Sequence, residues 1–113
     1  GREYFVLDDK EASEKAEEYI KDSLWAFNTN FISEHSIFED DNASRKVIEA
    51  IKNLYENGND AMEKIIEDID IFVEDAIDCD GRGRFLASYD FEENEVKFVT
   101  DDEVIYLNIY RLN

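Results

Sequence analysis

Asp78, Asp80, Gly83 and Phe85 have the types and spacing of the opening of a calcium loop. Such a loop has twelve residues, with oxygen ligands at positions 1, 3, 5, 7 and 9, a glycine at 6 and a bidentate glutamate at 12. Counted from Asp78, the two aspartates take the first and third places, Gly83 the sixth and Phe85 the apolar eighth. The match then fails, because Arg82 puts a cation where a ligand oxygen belongs and Tyr89 stands where the glutamate should. Asp90 comes one residue late, and in an extended segment it would point to the opposite face. The stretch therefore reads as a helix end in which Gly81 or Gly83 supplies the left-handed cap, while Arg82 and Arg84 complement the negative helix terminus. No metal ion or other cofactor is expected, and calcium binding stands as a minor alternative.

The remaining reactive types give no catalytic constellation. His35 is the single histidine and Cys79 the single cysteine, with Asp78 and Asp80 beside it, the reverse of the electropositive setting of a reactive thiolate. Carboxylates are too abundant for any pair of them to mark acid–base chemistry. Phosphate-cradling glycine loops and nucleophile motifs are missing. The expectation is a protein that is not an enzyme.

What the carboxylates do offer is a charged surface. Glu63, Glu67, Asp70, Glu74 and Asp78 are spaced to line one side of a helix running from about residue 60 to 79. At a rise of about 1.5 Å per residue this is roughly one charge per 5 to 6 Å, against about one per 1.7 Å along duplex DNA. A DNA mimic would need further rows, for which Glu14, Glu17 and Glu18 are available, together with Asp90, Glu92, Glu93, Asp101, Asp102 and Glu103. A second candidate surface lies on the last strand. There Ile105, Leu107 and Ile109 suit the core, and Val104, Tyr106 and Tyr110 are left on the other face, where tyrosines can anchor a partner.

The elements that must position these residues follow from periodicity. "EYFVL" (3–7) predicts a strand, and Asp8 or Asp9 can cap a helix whose stripe is Ala12, Ala16, Ile20, Leu24 and Phe27. "NTN" (28–30) weakens that helix, and "FISEHS" predicts another short turn or a bent continuation of it. Asp41 or Asn42 caps a helix carrying Val47, Ile48, Ile51, Leu54 and Tyr55 that Gly58 ends. A helix from about 60 to 79 buries Ile65, Ile66, Ile69, Phe72, Val73, Ala76 and Ile77. Beyond Gly81 the period changes to two, and "RFLASYD", "EVKFVT" and "EVIYLNIYR" predict a meander of three strands. The fold class is α+β, about three helices on a small antiparallel sheet that the N-terminal strand can join, in a single domain over residues 1–113.

Composition limits the partner. With 12 basic and 30 acidic residues among 113 the net charge is −18, which repels nucleic acid and anionic lipid and attracts basic protein surfaces. Hydrophobic residues at 43% argue for a folded core rather than disorder. Without an internal disulfide, a membrane-length apolar run or a signal-like start, the chain reads as a soluble cytoplasmic protein.

Three segments, "SLWAFNTNFISEH" (23–35), "DAIDCDGRGRFLASYDFEENE" (75–95) and "IYRLN" (109–113), resemble those of small acidic proteins of bacteriophages and mobile elements. The resemblance implies a phage setting and transfers no catalytic residue. In size and charge the chain is also similar to phage inhibitors of host defence, namely DNA mimics that block restriction enzymes and anti-CRISPR proteins. The expected function is thus a phage-type inhibitor acting in the host cell, which occupies a basic nucleic-acid-binding surface of a defence nuclease. The partner residues are Glu63, Glu67, Asp70, Glu74, Asp78, Glu92, Glu93, Tyr106 and Tyr110. The alternative is an accessory interaction module, a homodimer or adaptor, that uses its sheet face.

Overall fold

In the computed structural model, which describes all 113 residues, the chain forms two compact units, residues 1–19 with 76–113, and residues 20–75. The elements are β1 (Tyr4–Leu7), α1 (Asp9–Asp22), α2 (Thr29–His35), α3 (Asn42–Lys52), α4 (Asn59–Ile65), α5 (Ile69–Asp80), α6 (Arg82–Leu86), β2 (Asn94–Val99) and β3 (Val104–Arg111). Single 3-10 turns fill Leu24–Ala26 and Tyr55–Gly58. The class is α+β, with more and shorter helices than the periodicity predicts.

The first unit is built on a three-stranded antiparallel sheet of order β1-β3-β2. β3 is central, with Val6 opposite Ile109 on one side and Val96 opposite Leu107 on the other. The predicted meander is corrected at its first strand: "RFLASYD" ends α6 and runs on into a turn, and β1 takes the place beside β3. A run of three apolar residues, Phe85 to Ala87, is ambiguous between helix and strand, and the backbone of β3 could satisfy only two neighbours. α1 starts in a reciprocal cap, the Glu11 N–H donating to Asp8 Oδ1 at 2.8 Å and the Asp8 N–H to Glu11 Oε1 at 3.2 Å. Its Ala12 and Ala16 are fully buried with Leu86, Ala87 and Tyr110, and Phe5, Leu7 and Ile77 pack against them.

The strand faces are the reverse of the prediction. Tyr110 and Asn108 point into this core, so the helices cover their end of that face, while Tyr106 and Val104 farther along it stay 49% exposed. Ile105, Leu107 and Ile109, which were expected to form the core, lie on the opposite face and remain partly exposed. Alternation puts Val6, Val96 and Phe98 on that same outer face, where Val6 is 52% and Phe98 45% exposed.

The second unit is helical. Of the predicted stripes Ile20, Leu24, Ile48, Ile66, Phe72 and Val73 are buried, and Ile32 and Met62 join the core unpredicted. Val47, Leu54 and Tyr55 are instead 46%, 54% and 65% exposed, the last two because α3 ends at Lys52. Asn28 caps α2 and Asp41 caps α3, the latter accepting from the Ser44 N–H at 2.7 Å. α3 stops at Lys52, six residues before the glycine expected to end it. Gly58 is held by close approach: a Cβ there would sit 2.3 Å from the Ile51 carbonyl oxygen. Phe27, Phe31, His35 and Phe72 form an aromatic cluster, with the Phe31 and Phe72 rings 4.9 Å apart and edge-on.

The long helix predicted over 60–79 is broken. Ile66 turns extended between α4 and α5 and bridges to Ser36. The Ile37 N–H donates to the Ile65 carbonyl and the Glu67 N–H to the His35 carbonyl, each at 2.8 Å. These two bonds satisfy two backbone groups, the Ile65 carbonyl and the Glu67 N–H, that a continuous helix would have paired locally. Asp68 then caps α5, accepting from the N–H groups of Asp70 and Ile71.

Candidate functional site

The break divides the expected stripe of five carboxylates. Glu63 lies on α4, Glu67 in the extended link, and Asp70, Glu74 and Asp78 on α5. The last three keep the i, i+4, i+8 spacing, a ridge about 12 Å long at 1.5 Å per residue. All five are exposed, and none takes part in an ion pair. Ile71, half-exposed, adjoins Asp70 and lies one turn before Glu74 and Asp75. Nearby acids are employed otherwise: Asp75 meets His35 Nε2 at 3.2 Å, and Asp68 is the cap of α5.

Of the other predicted contact residues, Glu92 is exposed in the turn before β2, where its N–H donates to Asp90 Oδ1 at 3.1 Å. Tyr106 is 49% exposed on β3. Glu93 and Tyr110 are corrected. Tyr110 is 0% exposed, and its hydroxyl donates to Glu93 Oε1, so neither residue is free to meet a partner. Burial, then the hydrogen bond to Glu93, pushes the phenol above its ordinary range, because ionisation would put a second negative charge in a covered position.

That contact is one end of a polar clamp centred on Arg82. Its Nε donates to Glu93 Oε1 at 2.8 Å, its Nη2 to Asp9 Oδ1 at 3.1 Å, and its Nη1 to the Asp9 carbonyl at 3.1 Å and Ser13 Oγ at 3.2 Å. Asp9 Oδ1 also accepts from Asn108 Nδ2 at 2.8 Å. The bonds from Asn108 and then Arg82 hold the Asp9 carboxyl below its ordinary range. Burial would lower the Arg82 pKa, but the bonds to Glu93 and Asp9 outweigh it and hold the guanidinium charged. No buried side-chain polar atom in the protein lacks a partner, so the clamp is a closed joint between α1, α6, the entry to β2 and β3.

The calcium-like stretch runs through this joint. Asp78 and Asp80 end α5, Gly81 takes φ +78° and ψ 156°, and Arg82 begins α6 at once. Gly81 thus separates α5 from α6 not as the expected left-handed cap but with a positive φ and extended ψ, a region of backbone space almost closed to other residues. Gly83 has a different reason: a Cβ there would lie 2.6 Å from the Phe91 carbonyl oxygen. Arg84 stacks over the Phe91 ring at 4.4 Å. No three His, Cys, Asp or Glu side chains are grouped to hold a metal ion.

The outer sheet face is the feature that periodicity missed. Its signal was present in "YFVL" and "VIYLNIY", which are apolar at nearly every position rather than at alternate ones, the pattern of strands with two buried faces. No protein family, curated protein or solved structure matches the chain. No helix is long and apolar enough to cross a membrane.

Proposed function

We propose that this protein is a non-enzymatic binding protein whose acidic helical surface docks on a basic protein surface. The observation that carries the reading is that Glu63, Glu67, Asp70, Glu74 and Asp78 are exposed with no cation paired to them, in a chain of net charge −18. Exposed carboxylates free of internal partners keep their full attraction for external Lys and Arg side chains. The partner class is a nucleic-acid-binding surface, which presents such cations, and the phage resemblance points to a host defence nuclease. The mechanism is competition for the cations that would hold phosphates. The α5 ridge is about 12 Å long and sparser in charge than a duplex, so the match is to a local basic patch rather than to a full DNA channel.

The test is binding of purified candidate nucleases at 50 to 500 mM NaCl, with and without DNA. Asp70→Asn, Glu74→Gln and Asp78→Asn together remove charge without changing shape. At about 0.2 to 1 kcal/mol per exposed charge, the triple variant should weaken binding by roughly tenfold and flatten its salt dependence. Binding indifferent to salt and to these changes would refute the proposal.

A further inference from the structure

The inner face of the sheet is covered only at its β1 end, leaving Val99, Val104 and Tyr106 at the hairpin end 71%, 49% and 49% exposed, and the outer face carries an apolar row of its own. On the inner side Phe5, Leu7 and Tyr110 meet the helices. On the outer side lie Val6, Val96, Phe98, Ile105, Leu107 and Ile109, brought together by strand register, with Val6 52% and Phe98 45% exposed. We infer that this outer face is the contact surface for a second copy of the chain, two sheets meeting face to face with their helices outside.

Three observations favour a like copy over a different occupant. β1 and β3 are apolar on both faces, a pattern that belongs to sheets buried on both sides, and β2 alternates so that its Val96 and Phe98 lie on the outer face. Within the strands the outer face, including Tyr4, Asn94 and Arg111, contains no acid, although 30 of the 113 residues are acidic, and the nearest along β3 is Glu103 at the hairpin end. A self-contact places each group opposite a group from the same patch, so for a chain at −18 it requires an acid-free surface. A basic partner, by contrast, would be drawn to the carboxylates that this face lacks. The size also fits a modest association. Three strands about 4.8 Å apart and up to eight residues long give a flat footprint of roughly 350 Å² per copy. That is below the roughly 800 Å² per partner of a standard interface, so the dimer should form with a Kd on the order of tens to hundreds of micromolar.

This inference does not depend on the acidic surface, and the two fail separately. Sedimentation equilibrium of the full chain from 5 to 500 µM should show the mass rising from 13.3 kDa toward twice that value. Association should tighten severalfold from 50 to 500 mM NaCl, because salt screens the repulsion between like-charged copies and leaves the apolar contact. Val6→Lys with Phe98→Lys lowers the net charge from −18 to −16 and so reduces repulsion, yet should raise the Kd at least tenfold. Val6→Thr, which keeps the strand's shape, should weaken the dimer severalfold with an unchanged circular dichroism spectrum. The α5 charge variants should leave the dimer intact. A chain that stays monomeric at 500 µM overturns the inference. So does an association that salt weakens, or one that persists in the folded Val6→Thr and double-lysine variants.

Discussion

Replacing Arg82 with Met tests whether the clamp holds the sheet to its helices. Met keeps most of the apolar stem and deletes the guanidinium, so the change removes four hydrogen bonds and little volume. Their worth is unequal. The bond to Glu93 is the most sheltered, since the Arg82 side chain is 17% exposed and Glu93 34%, and a charge-assisted bond of this kind contributes about 1.5 to 3 kcal/mol. The side chain of Asp9 is 75% exposed, so its ion pair adds little, while the bonds to the Asp9 carbonyl and Ser13 are neutral and worth less. Releasing the guanidinium from a covered position returns part of the loss, which leaves a net destabilisation of about 2 to 3 kcal/mol. For a chain of this length that is a fall in Tm of roughly 10 °C by circular dichroism. Much of the cost comes from leaving Glu93 charged beside the buried Tyr110. Adding Glu93→Gln to the Met variant should therefore recover stability, with a coupling of about 1 kcal/mol or more in the double-mutant cycle. A Tm within 3 °C of the parent, or additive single effects, would show that the clamp is incidental to the fold.

Two further outcomes follow from the same joint and its neighbours. Gly83→Ala should destabilise by about 1 to 3 kcal/mol in urea titration despite the better helix propensity of alanine, because the new Cβ meets the backbone at Phe91, Glu92 and Glu93, which no rotamer change can clear. Asp9, Asp40 and Asp41 all have carboxyls held below their ordinary range. The main causes are the bond from Asn108 at Asp9, from Arg45 at Asp40 and from the Ser44 N–H at Asp41. A carboxyl depressed in the folded state contributes stability above its unfolded pKa of about 3.9 and loses it as pH falls through the folded value. Melting temperature should thus drop below about pH 4, and Asp9→Asn should make that acid limb shallower; an unchanged limb would mean that the Asp9 contacts do not form in solution.

Much of the local structure was legible in the sequence because it rests on interactions a few residues apart. The Asp8–Glu11 cap, the stripe Ala12, Ala16, Ile20 and Leu24, the Asp41 cap and the two long C-terminal strands need only neighbours along the chain, and all appear where patterning puts them. The class α+β and the charge of −18 follow from the same reading. The stripe of five carboxylates did not survive as one helix face, although the apolar positions behind it are buried as expected. Periodicity is blind to a break of this kind: Ile66 and Phe72 stay inside whether the turn between them is helical or extended, and the choice was made by the backbone of residues 35–37, thirty positions away.

The faces of the sheet show the same division. The sequence determines that β1 and β3 are strands and that both of their faces are apolar, since this depends only on residue type and a period of two. It does not determine which face meets the helices, because Ile105, Leu107 and Ile109 are as suited to a core as Tyr110. That was decided where α1 and α6 dock, and there Tyr110 has an advantage the isoleucines and leucine lack: a buried hydroxyl that can be satisfied by Glu93, itself held by Arg82. A non-local network with places for two polar side chains, Tyr110 on Glu93 and Asn108 on Asp9, selected the inner face and so left the apolar row outward.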